Sequence, residues 1–398
     1  MPDISKVNAV AIGDISKIAG VAKASISKLG GADVPANGTE QATKWLIGAS
    51  SGRLYANTSS TFTSSGTGDG VELLCDFGTN NVYGVAMGLD DAGEKRWAFH
   101  YDRAGRYIYY ISASGDWTDT DEWTWVDDYG GYGKKCMRGG PGLVYTNETG
   151  ADGKAGYWYA IGGGRKVGTN GRYFIMTASQ TQISAREFRE VPNPVFLGDV
   201  NAGYAVVNKE ADTWIQAIGV TKFYKTTDGE SLTATWASGA ADTGGYDVYS
   251  MGYDPDNNIW AAGSSNGKMW SSGDDWATLT ASVTPFGAST CWGVIYVKGS
   301  INKWIAVATN GKIAYSEDGT NPLAFTASTL PSPIGSSHHM RGVASDHTTI
   351  VACGSTSGGN NCILTSSNGT DWTYVSSSAM GNVNFESVAC DVVGAASN

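Results

Sequence analysis

One hydrophobic pattern recurs along most of the chain. Apolar runs that open on an aromatic residue begin at Trp45 (WLIGA), Trp97 (WAFHY), Trp158 (WYAIG), Trp214 (WIQAIG), Trp260 (WAAGS) and Trp304 (WIAVA), and a seventh opens on Ile350 (IVACG). Runs this short, bounded by Gly, Ser, Asn and Asp, predict β-strands. A turn and a second strand follow each, starting at Arg53, Arg106, Arg172, Lys222, Lys268, Lys312 and Cys362. A third element, marked by Phe62, Trp125, Phe188, Trp236, Trp276, Phe325 or Trp372, closes each unit. Between units lies another apolar strand, at Tyr83, Gly142, Gly203, Tyr249, Trp292 and Arg341. A last copy, FESVACD, starts at Phe385 with no unit after it.

The first unit has no such strand before it, so openings and inter-unit strands are offset by one. A ring needs that offset if the last strand completes the first sheet and hides the edges of an open array. The expected fold is therefore all-β: a seven-bladed β-propeller closed by the C-terminal strand. Openings 44 to 61 residues apart suit four-stranded blades, the longest spacings marking insertions in the second and third. The alternatives are a two-sheet sandwich or several small β domains.

A shorter repeat precedes these units. Ile4 to Asp14, Ile15 to Ser25 and Ile26 to Ala36 align without gaps at a period of eleven residues, each opening Ile-Ser-Lys. That period also describes a helix in a right-handed coiled coil. The small pairs Asn8-Ala9, Ala19-Gly20 and Gly30-Gly31 fit alternating strands and turns better. Three such copies bury too little to fold alone, so Ile4, Ile15 and Ile26 are the expected assembly contacts and a homo-oligomer is expected. The expected organisation is a repeat segment over 1–36, a linker over 37–43 and the propeller over 44–398.

Composition narrows the function. With 41% hydrophobic residues, 14 Trp and 20 Tyr, the 398-residue chain has material for a large core, and 54 Gly against 16% charged residues suits many tight turns. A net charge of −11 argues against nucleic-acid partners, which are held by Lys and Arg clusters. No membrane span and no export signal are read in the chain. Six cysteines, Cys75, Cys136, Cys291, Cys353, Cys362 and Cys390, lack zinc-site spacing and read as reduced core residues, although Cys353 and Cys362 can also be drawn facing each other across one hairpin. The four histidines show no metal-binding spacing.

Two resemblances follow from particular phrases. The turns at Thr226 (TTDGESLTATW), Ser316 (SEDGTNPLAF) and Ser366 (SSNGTDW) resemble the Asp-box turn of sialidase-like propellers, with Asp228, Asp318 and Asn368 at the Asp position and Gly229, Gly319 and Gly369 after it. In that resemblance the turn is structural, the acid or amide accepting backbone hydrogen bonds. The repeat, read as ISKIAGVAKASISK, resembles repeats that open virion structural proteins of marine cyanobacterial phages, with Ala19 where Asn is usual. This implies a virion protein made in the host cytoplasm, with other virion proteins as partners.

Candidate chemistry is sparse. A sialidase needs an arginine cluster, a Tyr-Glu pair and an acid; Arg53, Arg106 and Arg172 open equivalent strands, but Lys222, Lys268 and Lys312 hold the same place elsewhere and read as strand starts. Neither a nucleophile elbow nor a phosphate loop is present. The segment Asp116 to Gly133 sets Trp117, Trp123, Tyr129 and Tyr132 among acidic residues, a candidate platform for a host surface glycan or protein partner, while Trp125 reads as core. No cofactor is expected, calcium being the one ion those carboxylates have the chemistry to hold. The expected function is a non-enzymatic phage virion protein, anchored by its repeat and presenting the propeller for particle assembly or host adsorption. The alternative is a glycan-binding or glycan-hydrolysing enzyme of the sialidase-like group.

Overall fold

The apolar runs form strands because they can be covered on both faces. In the computed structural model the runs Ile259–Ser264 and Trp45–Ala49 are buried along their whole length, with neighbouring sheets against each face. The structure describes residues 17–18, 21–22, 28–29, 32–33, 45–57, 71–90, 93, 95–103, 106–112, 123–126, 143–149, 155–163, 173–179, 189–191, 203–210, 213–218, 222–227, 237–281, 284–317, 319–320, 323–375 and 380–391. Among these residues the chain is all-β, without a helical element.

Four-stranded antiparallel sheets make up the body of the fold, seven of them among the described residues. We number them by their second strands. Sheet 1 holds Trp45–Ala49, Arg53–Asn57 and Val71–Asp76, and its leading strand is Phe385–Cys390 from the other end of the chain. In sheets 2 to 7 the four strands follow in chain order from the leading strands Val82–Leu89, Leu143–Thr149, Gly203–Glu210, Val248–Asp254, Cys291–Val297 and His338–Ser345. Each leading strand touches the leading strand of the next sheet, and Phe385–Cys390 touches both His338–Ser345 and Val82–Leu89.

The opening aromatics are core anchors. Trp45, Trp158, Trp260 and Trp304 are at most 1% exposed. In three sheets the indole meets a tyrosine directly opposite on the leading strand: Tyr145 with Trp158 at 5.1 Å, Tyr253 with Trp260 at 4.4 Å and Tyr296 with Trp304 at 5.4 Å between centroids. The third-element aromatics Trp276, Phe325 and Trp372 are buried too, but they sit just before the short outer strands Thr280–Ala281, Thr326–Ala327 and Thr373–Val375.

The repeat segment contains two short hairpins. Lys17–Ile18 pairs with Val21–Ala22, and eleven residues on Lys28–Leu29 pairs with Ala32–Asp33. Strands, and not a helix, occupy these positions. Ile4, Ile15 and Ile26 lie outside the described residues.

Cys75, Cys291, Cys353, Cys362 and Cys390 are free and buried. Cys353 pairs in register with Ile363 and shares its apolar cluster, whereas Cys362 lies in the cluster of Ala352 and Leu364. Alternation along the strands thus sends the two thiols to opposite faces of sheet 7, so they do not face each other. Burial pushes the Cys362 thiol up to about 12 and Cys353 higher still, which keeps both protonated and inert.

Candidate functional site

Six leading strands carry the same irregularity at the same place. On sheet 5, Val248 pairs with Ser264 and Ser250 with Gly263, so Tyr249 is the extra residue of a β-bulge. The same two-against-one step leaves Tyr83, Tyr204, Trp292, Arg341 and Glu386 as extra residues on sheets 2, 4, 6, 7 and 1. A bulge re-aims one side chain while the ladder continues beyond it. Here the extra residues are large aromatic or charged ones, at equivalent positions on strands that touch one another.

The residue after each bulge is small: Gly84, Ala205, Ser250, Gly293, Gly342 and Ser387. Packing requires this where it can be measured. A Cβ on Gly342 would lie 2.9 Å from Cys353 Sγ and 3.0 Å from Ser387 Cα, and one on Gly293 would lie 2.8 Å from Val343 Cγ1. Sheets therefore approach closely beside the bulge, and the bulged side chains meet across the seams.

Four of them form a continuous line. The Tyr249 and Trp292 rings are 4.5 Å apart at 57°, the Arg341 guanidinium lies 5.4 Å from the Trp292 ring centre, and Arg341 Nη1 sits 3.1 Å from Glu386 Oε2. Tyr249, Trp292 and Arg341 are half-buried, and Glu386 is buried. Burial pushes the Glu386 carboxyl up to about 7, against the pull of Arg341. Desolvation, helped by Arg341 and His338, lowers His339 on the same strand. Arg341 Nε and Trp292 Nε1 have no hydrogen-bond acceptor among the described residues.

A second charged cluster joins sheets 4 and 5. Asp275 accepts from Lys209 Nζ at 2.7 and 2.8 Å, from Lys225 Nζ at 2.7 Å and from Trp260 Nε1 at 3.0 Å. Burial acts to raise the Asp275 carboxyl, but these donors outweigh it and hold it below its ordinary value. Asp275 and Trp276 both take left-handed backbone angles, φ 55° and 65°, a strained state for side-chain-bearing residues. It is held by Ser272 Oγ, which accepts from Trp276 N at 2.9 Å, and by Trp276 lying flat on Phe223 at 4.0 Å. Asp275 is thus a lock between sheets 4 and 5.

Of the Asp and Gly positions compared with the Asp box, Gly319, Asn368 and Gly369 are described, and Gly319 does not take the left-handed backbone of Gly369. Asn368 Oδ1 accepts from the backbone of Thr370 and Asp371 at 2.9 Å each, Ser366 Oγ accepts from Gly369 N at 2.8 Å, and Gly369 has φ 77°. Asp228, Gly229 and Asp318 lie outside the described residues.

Among the residues expected to form an aromatic platform, Trp117, Tyr129 and Tyr132 also lie outside them. Trp123 is a core residue: it begins the strand Trp123–Val126, pairs with Ser112, is 5% exposed and packs edge-on against Phe99 at 5.1 Å. The strand begins earlier than the sequence pattern suggested, which carries Trp123 out of the loop and into the sheet. The line from Tyr249 to Glu386 went unnoticed because its members read as strand starts. The signal was present as a large residue repeatedly followed by Gly, Ala or Ser.

No protein-family model matches the chain, and no curated protein matches it. Solved structures do align. The computationally designed Ika8 protein aligns with a TM-score of 0.49 at 12% identity, over 86% of this chain and 96% of its own. YCF48 from Cyanidioschyzon merolae aligns with a TM-score of 0.48 at 11% identity, over 77% and 87%. The α-L-arabinofuranosidase Arb93A from Fusarium graminearum aligns with a TM-score of 0.47 at 12% identity, over 69% and 88%.

Proposed function

We propose that this chain is a non-enzymatic structural and binding protein of a phage particle: a closed seven-bladed β-propeller over 44–398, joined by a linker over 37–43 to an assembly repeat over 1–36. The observation that carries the closed ring is the pairing of Phe385–Cys390 with Trp45–Ala49, together with the cyclic contacts of the leading strands. A ring closed by its own last strand completes its first sheet and leaves only short outer edges, which suits a module displayed on a particle. The bonds of Ser366 and Asn368 support the resemblance to Asp-box propellers.

The repeat supports the assembly role. Its two hairpins recur at the eleven-residue spacing and are too short to be stable without a partner, so other virion proteins or further copies of the chain cover them. A binding role, and not catalysis, is supported by the way Arg341 occupies the Glu386 carboxyl. The propeller then serves as a decoration, fibre or tip module that contacts the particle or the host surface.

Removal of residues 1–36 tests this reading. The shortened protein is expected to stay folded but to be absent, by mass spectrometry, from particles that incorporate the full chain. A shortened protein that enters particles normally would overturn the anchoring role. Turnover of sialosides or cyanobacterial surface polysaccharide, abolished by Glu386→Gln, would replace the non-enzymatic reading with the glycan-hydrolase one.

A further inference from the structure

We infer that the line Tyr249–Trp292–Arg341–Glu386, on four consecutive leading strands, is a binding site for a neutral sugar ring. This rests on the bulge geometry alone and does not require the chain to be a virion protein.

A bulge interrupts the ladder and re-aims one side chain, and here it recurs in the same place on six sheets. What the bulges achieve is a row of side chains that meet across the seams at one height. Its chemistry is specific. Tyr249 and Trp292 offer tilted ring faces 4.5 Å apart, both half-exposed, the amphipathic surface against which the C–H face of a sugar packs.

Arg341 stands beside them and supplies hydrogen-bond donors. Its Nη1 is paired with Glu386 and its guanidinium lies over the Trp292 ring, which fixes the planar fork. Arg341 Nε is buried without an acceptor among the described residues, whereas the side chain as a whole is 31% exposed, and its outward N–H groups suit ligand hydroxyl oxygens. Glu386 is too buried to reach a ligand. It is a positioning residue that holds the guanidinium and, where the carboxyl is ionised above about pH 7, cancels its charge.

With the pair ionised, that cancellation selects the ligand class. An anion site needs uncompensated positive charge, and a cation site needs a free carboxylate facing the rings. Arg341 and Glu386 offer neither, so a polar, uncharged ring fits best. Affinity should be weak for one sugar unit and rise where several copies of the chain engage a polymer together.

The test uses the full chain at about pH 8, where Glu386 is ionised, with glucose, galactose and mannose and their uronates as probes, followed by tryptophan fluorescence and saturation-transfer NMR. At least one neutral hexose is expected to bind in the millimolar range, and its uronate no more tightly. Trp292→Leu and Tyr249→Leu are each expected to weaken binding by about tenfold or more, and Arg341→Gln likewise. Glu386→Gln is expected to weaken it less, and circular-dichroism melts identify any variant that has simply unfolded. In that event Trp292→Phe and Arg341→Lys, which keep ring and charge, give a graded loss if the site is real.

Tighter binding of uronates would mean that Arg341 acts as an uncompensated cation, against the proposal. Saturation by hexose unchanged in folded Trp292 and Tyr249 variants would place binding elsewhere. No binding by any hexose would remove the proposal while leaving the particle-assembly experiment, which reads only residues 1–36, unaffected.

Discussion

Two carboxylates, one half-buried and one buried, bridge neighbouring sheets, and their acidities move in opposite directions. Asp275 joins sheets 4 and 5 and is held below the ordinary carboxylate range. Glu386 joins sheets 7 and 1 and is pushed up to about 7. Both face cations, so proximity to positive charge does not explain the difference. Asp275 receives two lysines and an indole N–H, enough to outweigh its desolvation. Glu386 has one arginine, shared with the Trp292 ring, and is the more deeply buried. The first arrangement locks a seam; the second leaves a seam whose charge state changes near neutral pH.

The largest expected effect comes from cutting the second seam altogether. A chain ending at about residue 380 loses Phe385–Cys390, and with it both Glu386 and the partner of Trp45–Ala49. Two faces of apolar clusters would be exposed together with an unpaired edge. Cooperative thermal unfolding followed by circular dichroism should disappear, with aggregation in its place. An unchanged melt would show that the closing strand contributes little.

In the full chain, Asp275→Ala should be costly. It leaves Lys209, whose side chain is 16% exposed, and Lys225 close together without their shared acceptor. Removing one partner of a largely buried ion pair typically costs about 3 kcal/mol, here read as a shift in the urea midpoint. A loss under about 1 kcal/mol, the range of a surface pair, would mean that the lock is ornamental and that Trp276 packing holds the turn.

The Glu386 seam should respond to pH instead. Its folded value of about 7 lies above the ordinary 4.5, so the folded state binds the proton more tightly than the unfolded chain does. This contribution to stability is fully present below about pH 4.5 and is lost as pH rises toward 7. Glu386→Gln lacks the titration, so its stability relative to the parent should climb between pH 5 and 7 and level off above. The rise is on the order of 2 kcal/mol. Subtracting the two pH profiles isolates this effect from His100, which burial lowers to about 3 and which acts in the opposite sense, costing stability as pH falls below about 6.5. A flat difference profile would mean that Arg341 keeps Glu386 ionised throughout.

The sequence carried the scaffold more clearly than these seams. The strands were legible because runs such as WIAVA and IVACG have the length and composition of strands covered on both faces, and the last pairing was legible as the offset that leaves Phe385 without a unit. The hairpins of the repeat followed from small-residue pairs at fixed spacing. Bulges were not legible, because the register that makes Tyr249 or Arg341 the extra residue depends on Gly263 and Gly354 in the partner strands. The Asp275 lock was hidden for a similar reason: its lysines lie 66 and 50 residues earlier. Trp123 was misplaced by the opposite error, in which a residue at a strand's first position looked like part of the loop before it.

The smallest effects separate strain from ordinary turn chemistry. Ser272 and Ser366 do similar work, each hydroxyl donating to the side chain two residues on and accepting backbone N–H groups. Their burdens differ. Ser366 closes a turn whose left-handed residue is Gly369, where that conformation costs nothing. Ser272 holds Asp275 and Trp276, which have side chains and strain of their own. Ser366→Ala should cost about 1 kcal/mol, the usual value of a hydrogen bond to a turn, with no effect elsewhere. Ser272→Ala should cost about 2 kcal/mol, because the released strain lets Trp276 leave Phe223 and pulls Asp275 from its lysines. A double-mutant cycle of Ser272→Ala with Asp275→Ala should show coupling of at least about 0.5 kcal/mol, and the same cycle with Ser366→Ala should show none. Equal costs and no coupling would mean that the left-handed pair is held by packing alone, and that the lock between sheets 4 and 5 owes nothing to the serine.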